Sequence, residues 1–407
     1  MKVVRTGVLK IQSQPLFSEI NAASASVWNE CLQLMEWYQW QRGYPHARDD
    51  FWIGLDCEGW MDKNLSKSHP LHSQSIQAVR KQYFKSWQSY WELRKSNVIE
   101  NPKPPHKKKS FMTTRWLKSA IRFQDGPRFG KHVVLSMGSG QPALDVPLPH
   151  SFDMSKTGAI ATIDLCYNYG QWELHFTYNF ELEITEVGKN VMGVDMGEIH
   201  PIVCHDGLHT YILNGRYIRS LYRLRNKVIA GFQSKIDRCK RGSKQWWHLV
   251  KRKWKRVNRI DNQTKDALHK HTNTFIQLCQ IHNVGAVAIG DLTGIRNNID
   301  YGKRANQKLH QWAFAKLTDM IVDKCKAVGI KVKKVDESYT SQTCPSCGKR
   351  HKPSNRNYKC KCGFEYHRDG VGAINIRKKY QGCLGTPVEA AMAPPVGIRL
   401  ETQCCSA

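Results

Sequence analysis

Apolar residues in the first hundred positions recur every three to four residues, the period of an amphipathic helix. The pattern extends from about Ser18 to Gly43 and again from about Ser75 to Asn97, where basic residues cover the other faces. The alternating stretch VVRTGVLKIQ precedes the first helix and predicts a strand. The segment NPKPPHKKK combines prolines with a charge run and predicts a loop. We therefore expect two helices with a basic face, inserted after an initial strand.

Between about residues 117 and 180 the helical period gives way to strict alternation. The stretches SAIRFQ, HVVLSM, AIATIDLCYN and QWELHFTYN alternate apolar and polar positions and are separated by glycine-containing turns. This pattern is typical of strands that bury one face. It predicts an antiparallel sheet or a small barrel.

The pattern changes again after the linker ITEVGKN. A buried strand, NVMGVDMG, is followed by a hairpin through HDG to HTYILN and by basic helical segments from Arg216 to His282. VGAVAIGDL then reads as a strand, Ala305 to Val328 as a helix, and IKVKKVDE as a further strand. An antiparallel start followed by alternating helix and strand is the order of a ribonuclease H-like nuclease sheet.

The charge balance of the chain indicates what kind of partner it binds. The 407 residues include 62 Lys or Arg and 34 Asp or Glu, which gives a formal net charge of +28. Such an excess indicates a polyanionic partner, and nucleic acid is the leading candidate. Thirteen Trp and fifteen Tyr also suit stacking on unpaired bases, although we expect most of these rings in the core.

Basic residues are densest in one segment. From Arg216 to Arg259 there are sixteen Lys or Arg against a single acid, Asp237. Because such single-sign density repels itself, we interpret the segment as a phosphate-contacting surface rather than a merely solvated helix face. The histidines His205, His209 and His269 are interpreted as hydrogen-bonded or surface residues rather than metal ligands.

The expected cellular compartment is inferred from signals that the sequence does not show. No run of eighteen apolar residues is present, and the first ten residues lack a secretory signal pattern. The fourteen cysteines are interpreted as reduced thiols apart from those with metal spacing. We expect a cytoplasmic, nucleoid-associated protein without a membrane partner.

Two cysteine pairs near the C-terminal end have metal-ligand spacing. Cys344 and Cys347 form CPSC, and Cys360 and Cys362 form the tighter CKC, after which Gly363 relieves the backbone. Four thiolates in this arrangement fit the tetrahedral cage of structural zinc. We predict a zinc ribbon over residues 340–366.

Two acids have the placement that metal-dependent phosphodiester cleavage needs. Asp195 lies in GVDMG at the end of a buried strand, and Asp369 lies in HRDGVGAINI at the start of a helix. Carboxylates grouped on rigid elements bind the Mg²⁺ ions that assist such reactions. Alone, Asp195 also suits a turn and Asp369 also suits the helix dipole.

Four motifs together carry a family resemblance. GVDMG, AIGDLTGIR, SYTSQTCPSCG and HRDGVGAINI resemble the transposon-encoded TnpB proteins, which are related to Fanzor proteins and type V CRISPR effectors. The resemblance is specific in the last 220 residues or so. It implies an RNA-guided DNA endonuclease with a RuvC-like domain, a guide RNA derived from the transposon end, a double-stranded DNA target and catalytic magnesium.

The resemblance also implies a domain plan, an α/β nuclease domain plus a β domain. The expected parts are a wedge-type β-barrel (1–17 and 110–186), a helical recognition insertion (18–109) and a ribonuclease H-like (RuvC) domain with the inserted ribbon (187–381). The tail (382–407) has weak periodicity and two consecutive prolines, and we expect it to be disordered.

One position departs from the family pattern. The family commonly places Glu where this chain has Gly290, and glycine cannot bind a metal. Some members of the family look rearranged, with the glutamate moved to the strand that follows. In this chain the following strand, KVKKVDE, ends with Glu337. Neighbouring parallel strands end about 4.8 Å apart, so Glu337 would reach the same cations. The triad implied is Asp195, Glu337 and Asp369, with Asp291 as the rival ligand and an inactive site as the remaining possibility.

Two other functions stay open at this stage. Gly290 is compatible with a non-cleaving, RNA-guided DNA-binding repressor. A strand-transferring transposase or transposase accessory protein is a further alternative, although no matching Tyr motif is present. The guide sequence, the target-adjacent DNA motif, the cut positions and the oligomeric state do not follow from the sequence.

Overall fold

The computed structural model describes most of the chain as two compact units, Met1–Leu182 and Glu183–Ala407. The described residues are 2–41, 55–65, 69–96, 100–125, 131–149, 159–181, 188–293, 302–353, 355–384 and 392–400. The predicted boundary at 186/187 lies outside these residues, and the predicted division into wedge barrel, recognition insertion and nuclease domain stays a prediction.

The first unit combines helices with two antiparallel sheets. Its elements are β1 (Lys2–Ile11), α1 (Pro15–Gln41), α2 (Leu55–Asn64), α3 (Ser73–Ser96), β2 (Thr114–Leu117), β3 (Ile121–Asp125), β4 (Lys131–Leu135), β5 (Leu144–Pro147), β6 (Ala159–Asn168) and β7 (Gln171–Glu181). The sheets have the orders β1-β7-β6-β2 and β3-β4-β5. The alternating stretches therefore form antiparallel strands, as predicted, while a closed barrel stays a prediction.

Aromatic rings fill much of the core of this unit. Trp28 on α1 contacts Tyr83 on α3 edge to face, with ring centroids 5.2 Å apart, and Trp116 on β2 is fully buried. These rings are core residues, as expected for the majority. The short helix α2 was not predicted, because only Cys57, Trp60 and Met61 give its ten residues an apolar face.

The second unit carries the remaining elements. They are β8 (Asn190–Asp195), β9 (Ile202–His205), β10 (Thr210–Leu213), α4 (Arg216–Ile236), α5 (Lys244–Ile281), β11 (Val284–Asp291), α6 (Lys303–Gln311), α7 (Phe314–Ala327), β12 (Lys331–Asp336), β13 (Asn357–Lys359), β14 (Glu365–His367), α8 (Arg368–Tyr380) and β15 (Val396–Ile398).

A six-stranded sheet of order β12-β11-β8-β9-β10-β15 organises this unit. Strands β8, β11 and β12 run parallel, whereas β9 is antiparallel to both β8 and β10. This is the predicted order of an antiparallel start followed by parallel strands. The carboxyl ends of β8, β11 and β12 therefore meet at one edge, where ligand sites of such sheets form.

Two sequence-based expectations in this unit are wrong. The helix predicted from Ala305 to Val328 is two helices, α6 and α7, interrupted at Trp312, whose buried ring packs on Phe314. The tail predicted as disordered includes β15, which pairs in parallel with β10. The other tail residues predicted to be disordered, 385–391 and 401–407, lie outside the described residues.

Among the described residues, no helix combines the length and the apolarity that crossing a bilayer requires.

Candidate functional site

Asp195 reaches the sheet edge because β8 is buried and closely covered. Met192 and Val194 of this strand are fully buried, and α8 packs against it at two glycines. A Cβ on Gly193 would stand 2.2 Å from the carbonyl oxygen of Ala373, and one on Gly372 would stand 2.4 Å from Asp195 Oδ2. Since real Cβ atoms do not approach so closely, glycine at both positions lets the helix contact the carboxylate strand.

Glu337 occupies the space above Gly290. Gly290 pairs with Val335, and Glu337 follows the end of β12. A Cβ on residue 290 would stand 1.8 Å from Glu337 Oε1 and 2.6 Å from its Cγ. The glutamate side chain therefore fills the volume that a side chain at position 290 would need.

Asp369 lies in the first turn of α8, where a carboxylate suits the helix dipole. His200 Nδ1 and Arg356 Nη1 each donate to its Oδ2 at 2.7 Å. His367 lies beside His200, with ring centroids 5.3 Å apart. These contacts fix the carboxylate at the N-terminal end of the helix.

The structure brings Asp195, Glu337 and Asp369 to one pocket of about 550 Å³. The remaining lining residues are Thr340, Ser341, Asn355, Arg356 and Arg368. Three acids and two guanidinium groups thus face the same open space.

Burial and neighbouring charged groups together give the three acids different pKa values. Burial, followed by the charges of Glu337 and Asp369, raises the pKa of Asp195 well above its ordinary range. Burial chiefly, with the charges of Asp291 and Asp336, raises the pKa of Glu337 to about 7. Burial also acts to raise the pKa of Asp369, but His200 and Arg356 outweigh it and hold that pKa below its usual value. A cation in the pocket would relieve the cost of ionising the first two acids.

The donor set fits hard divalent cations. Glu337 Oε1 is buried and has no hydrogen-bond partner among the described residues. Carboxylate oxygens are the ligands that Mg²⁺ prefers. All three acids line the same pocket, where they could hold such cations.

The rival ligand Asp291, and Asp336 beside Glu337, do not line this pocket. Asp291 ends β11 outside the pocket, is exposed, and accepts hydrogen bonds from the backbone N–H and the hydroxyl of Thr293, which close a turn. Asp336 accepts from Ser338 and pairs with Lys379 at 3.0 Å. Both carboxylates therefore stabilise local turns.

The four predicted cysteines converge. Their sulfur atoms all lie within 4.8 Å of one another, with Cys344 Sγ 3.7 Å from Cys362 Sγ and Cys347 Sγ 3.6 Å from Cys360 Sγ. A tetrahedral cage with Zn–S bonds of about 2.3 Å places its sulfurs about 3.8 Å apart. The set fits zinc. Gly348 and Gly363 follow the two pairs with positive φ of 72° and 90°, as such tight turns require.

Helix α8 holds the segment that connects β12 to this cluster. The buried Asn375 Nδ2 donates to the carbonyls of Thr340 and Thr343, both at 2.7 Å. Lys378 Nζ donates to the carbonyl of Pro345, and Lys379 Nζ to that of Ser338. One helix therefore carries Asp369, covers Asp195 and fixes the segment after Glu337.

Sequence reasoning missed His200, Arg356 and Arg368. His200 follows β8 by a short turn, and Arg356 precedes β13. No local pattern distinguishes them from other basic residues, because only the tertiary fold brings them to the carboxylates. Arg368, directly before Asp369 in the HRD motif, is the one with a sequence signal.

The predicted basic segment forms α4, the following turn and the first part of α5. Ser243 caps α5 by accepting from the backbone N–H of Trp246. Trp247 and Trp254 are exposed on α5, and Lys253 Nζ lies 4.9 Å from the centre of the Trp254 ring. The surface thus combines dense positive charge with accessible aromatic rings, and both features favour binding of nucleic acid.

Sequence comparisons match two family models. Residues 175–296 match the family described as a probable transposase (OrfB_IS605), and residues 314–376 match the Cas12f1-like TNB domain. These ranges contain Asp195, Glu337 and the cysteine cluster, and the second also contains Asp369.

Individual relatives belong to the same two groups of proteins as the family models. The chain is 27% identical over 254 residues to the CRISPR-associated endodeoxyribonuclease Cas12f1 of Sulfoacidibacillus thermotolerans, covering 60% of this chain and 58% of the relative. It is 34% identical over 139 residues to a TnpB-like protein of Methanocaldococcus jannaschii, covering 33% of this chain and 50% of the relative. The chain therefore spans about half the length of these curated relatives.

The fold is similar to that of a solved Cas12f1–sgRNA–target DNA complex. The TM-score is 0.64 at 13% identity, with 89% of this chain and 82% of that chain covered. At this identity the likeness concerns the mixed α/β fold alone. The motifs and the sequence matches together show that the chain belongs to the TnpB family, with Cas12f effectors among its relatives.

Proposed function

We propose that this protein is the RNA-guided DNA endonuclease of a transposable element, with a RuvC-like site formed by Asp195, Glu337 and Asp369. The observation that carries the proposal is the position of Glu337. Its side chain fills the volume above Gly290, beside the strand that presents Asp195. The relocated glutamate thus supplies the third acid at the sheet edge.

Magnesium would be held by these three carboxylates. When bound, such cations activate water and stabilise the leaving oxygen of a phosphodiester. The other lining residues have separate tasks. His200 orients Asp369 through its hydrogen bond, and Arg356 and Arg368 offer guanidinium groups to a phosphate that enters the pocket.

Zinc would be held by Cys344, Cys347, Cys360 and Cys362. The hairpin of β13 and β14 leads directly into α8 and Asp369. A closed thiolate cage is a structural site, so the proposed task of zinc is to fix this entry to the helix.

The proposed partners are a guide RNA derived from the transposon end and a double-stranded DNA target. The basic surface of α4 and α5 supports this proposal by its charge and its exposed rings. The sheets and helices of the first unit are proposed to be the wedge barrel and its recognition insertion. In related effectors, base pairing reads the target and the protein reads a short adjacent motif.

The proposal is tested by incubating the purified ribonucleoprotein with matched and mismatched duplexes in Mg²⁺. We expect guide-dependent cutting that Glu337→Gln abolishes and that Asp291→Asn leaves within about threefold of wild type. Guide-dependent binding without cutting by wild type would instead identify a non-cleaving DNA-binding protein. Loss of cutting in Asp291→Asn alone would overturn the assignment of Glu337.

A further inference from the structure

We propose that Asp206, His209 and His282 form a second transition-metal site, separate from both the carboxylate pocket and the cysteine cluster. Asp206 and His209 lie in the turn between β9 and β10, and His282 follows the end of α5. The site would take Zn²⁺ or a similar first-row cation, because two imidazoles and one carboxylate favour these metals over Mg²⁺ and Ca²⁺.

The three donor atoms already converge. Asp206 Oδ2 lies 2.8 Å from His282 Nδ1 and 3.3 Å from His209 Nδ1, and one donor atom from each residue lies within 4.8 Å of the others. Metal–ligand bonds of about 2.0–2.2 Å place the donors of a tetrahedral site about 3.3–3.6 Å apart. A cation would therefore replace the shared protons with small side-chain movements.

Outer contacts hold two of the donors in place. Asp206 Oδ1 accepts from the backbone N–H groups of Leu208 and His209 at 2.8 and 2.6 Å, which leaves Oδ2 directed toward the imidazoles. His282 Nε2 lies 2.8 Å from the hydroxyl of Tyr211, which fixes the ring. A hydrogen bond to the second ring nitrogen is the usual support of a metal-bound histidine.

Solvent reaches the site chiefly at His209. The side chains of Asp206 and His282 are 10% and 16% exposed, whereas that of His209 is 38% exposed. An entering cation would bind the protein through three donors and keep water in its remaining positions.

The position of the cluster gives the site a structural role. Gly193 of β8 pairs with His205, and Asn190 at the start of β8 contacts the backbone after α5. The cluster therefore lies near the amino end of β8, opposite the edge with Asp195. A metal there would tie the β9–β10 hairpin to the end of the long basic helix. Arg377 lies against Gly207 in the same turn, so its charge weakens cation binding relative to the four-thiolate site.

The test is cobalt binding by the full chain after the cysteine cluster has been loaded with zinc. Co²⁺ held by nitrogen and oxygen gives visible absorption without the thiolate charge-transfer bands of a cysteine site. We expect wild type to bind one equivalent more Co²⁺ than His209→Gln/His282→Gln. The matched control is His248→Gln, which changes an exposed histidine on α5 and should bind as wild type does.

The difference between variants removes any contribution from the carboxylate pocket, which is unchanged in all of them. His209→Gln alone guards against misfolding of the double variant, since its side chain lies in an accessible turn, and should weaken Co²⁺ binding at least tenfold. Equal stoichiometry and affinity in wild type and this single variant would show that the cluster is a hydrogen-bond network only, and would overturn the proposal.

Discussion

Three glycines shape the carboxylate pocket at the scale of single residues. Gly193 and Gly372 bring α8 against β8, and Gly290 opens the volume that Glu337 fills. The sequence allowed Glu337 to be predicted, because neighbouring parallel strands end side by side. It did not reveal that residue 290 must stay small, because that requirement depends on the path of the chain after β12.

The raised pKa of Glu337 predicts a pH-dependent cost of folding. Its pKa is about 7 in the folded protein and 4.5 in an exposed chain, so the folded state binds the proton more tightly. Stability therefore falls as pH rises from about 4.5 to 7, by up to about 3 kcal/mol, and stays lower above that range. Glu337→Gln removes this cost. In magnesium-free buffer we expect the variant to gain melting temperature over wild type at pH 8 and not at pH 4.5.

A matched control for this comparison is Asp266→Asn on the exposed face of α5. It should shift the melting temperature similarly at both pH values. A Glu337→Gln difference that does not change between pH 4.5 and 8 would show that the carboxyl group is not buried as described.

At the scale of elements, α8 is the part on which the site geometry depends. Asn375→Ala would remove two hydrogen bonds and leave two buried carbonyls without their donor. We expect a loss of about 1–3 kcal/mol in stability, and a larger relative loss of cleavage, because the turn after Glu337 is released. Thermal unfolding and cleavage rates measure the two effects.

Gln381→Ala, at the exposed end of the same helix, is the control and should leave both quantities unchanged. Wild-type cleavage by Asn375→Ala would argue against the proposed role of α8 in fixing Glu337.

Removal of zinc should act on the same elements. The hairpin of β13 and β14 has a small core of Cys344, Tyr358 and Val371, too little to fold firmly without a metal. Stripping the metal from the cysteine cluster with a strong chelator should abolish cleavage, and Mg²⁺ alone should not restore it. Addition of Zn²⁺ followed by Mg²⁺ should restore cleavage.

The comparison preparation is dialysed into magnesium-free buffer without a chelator, and Mg²⁺ alone should restore its cleavage. Full recovery of the stripped protein with Mg²⁺ alone would contradict a structural role for zinc.

Elements with a strong period were predicted, and those held mainly by tertiary contacts were not. Strands β8 and β11 are apolar runs, and the helix period of α5 extends over 38 residues. The three-residue strand β15 has no such signal, because it forms only where β10 offers an unpaired edge. The interruption between α6 and α7 contains neither proline nor glycine and could not be read from the sequence.

At the scale of the whole molecule, the net charge of +28 predicts a steep salt dependence of guide RNA binding. Four exposed basic residues of α5 can be replaced together by glutamine, namely Lys251, Arg252, Lys255 and Arg256. If all four contact phosphates, the slope of log K against log salt should become less negative by about 3. Filter binding at several salt concentrations measures this slope.

The charge-matched control replaces exposed lysines elsewhere in the second unit, namely Lys316, Lys326, Lys331 and Lys333. Equal slopes for the two quadruple variants would show that the effect is one of net charge and not of a surface on α5.

The central claim is that the catalytic glutamate has moved from position 290 to position 337, and a positional exchange tests it most directly. Guided DNA cleavage is measured for Gly290→Ala, Glu337→Gly and the double variant Gly290→Glu/Glu337→Gly. Because a Cβ at 290 displaces Glu337, the account predicts a loss of about 100-fold or more in each single variant, with DNA binding retained, and recovery in the double variant. Cleavage at the wild-type rate by Glu337→Gly would contradict it.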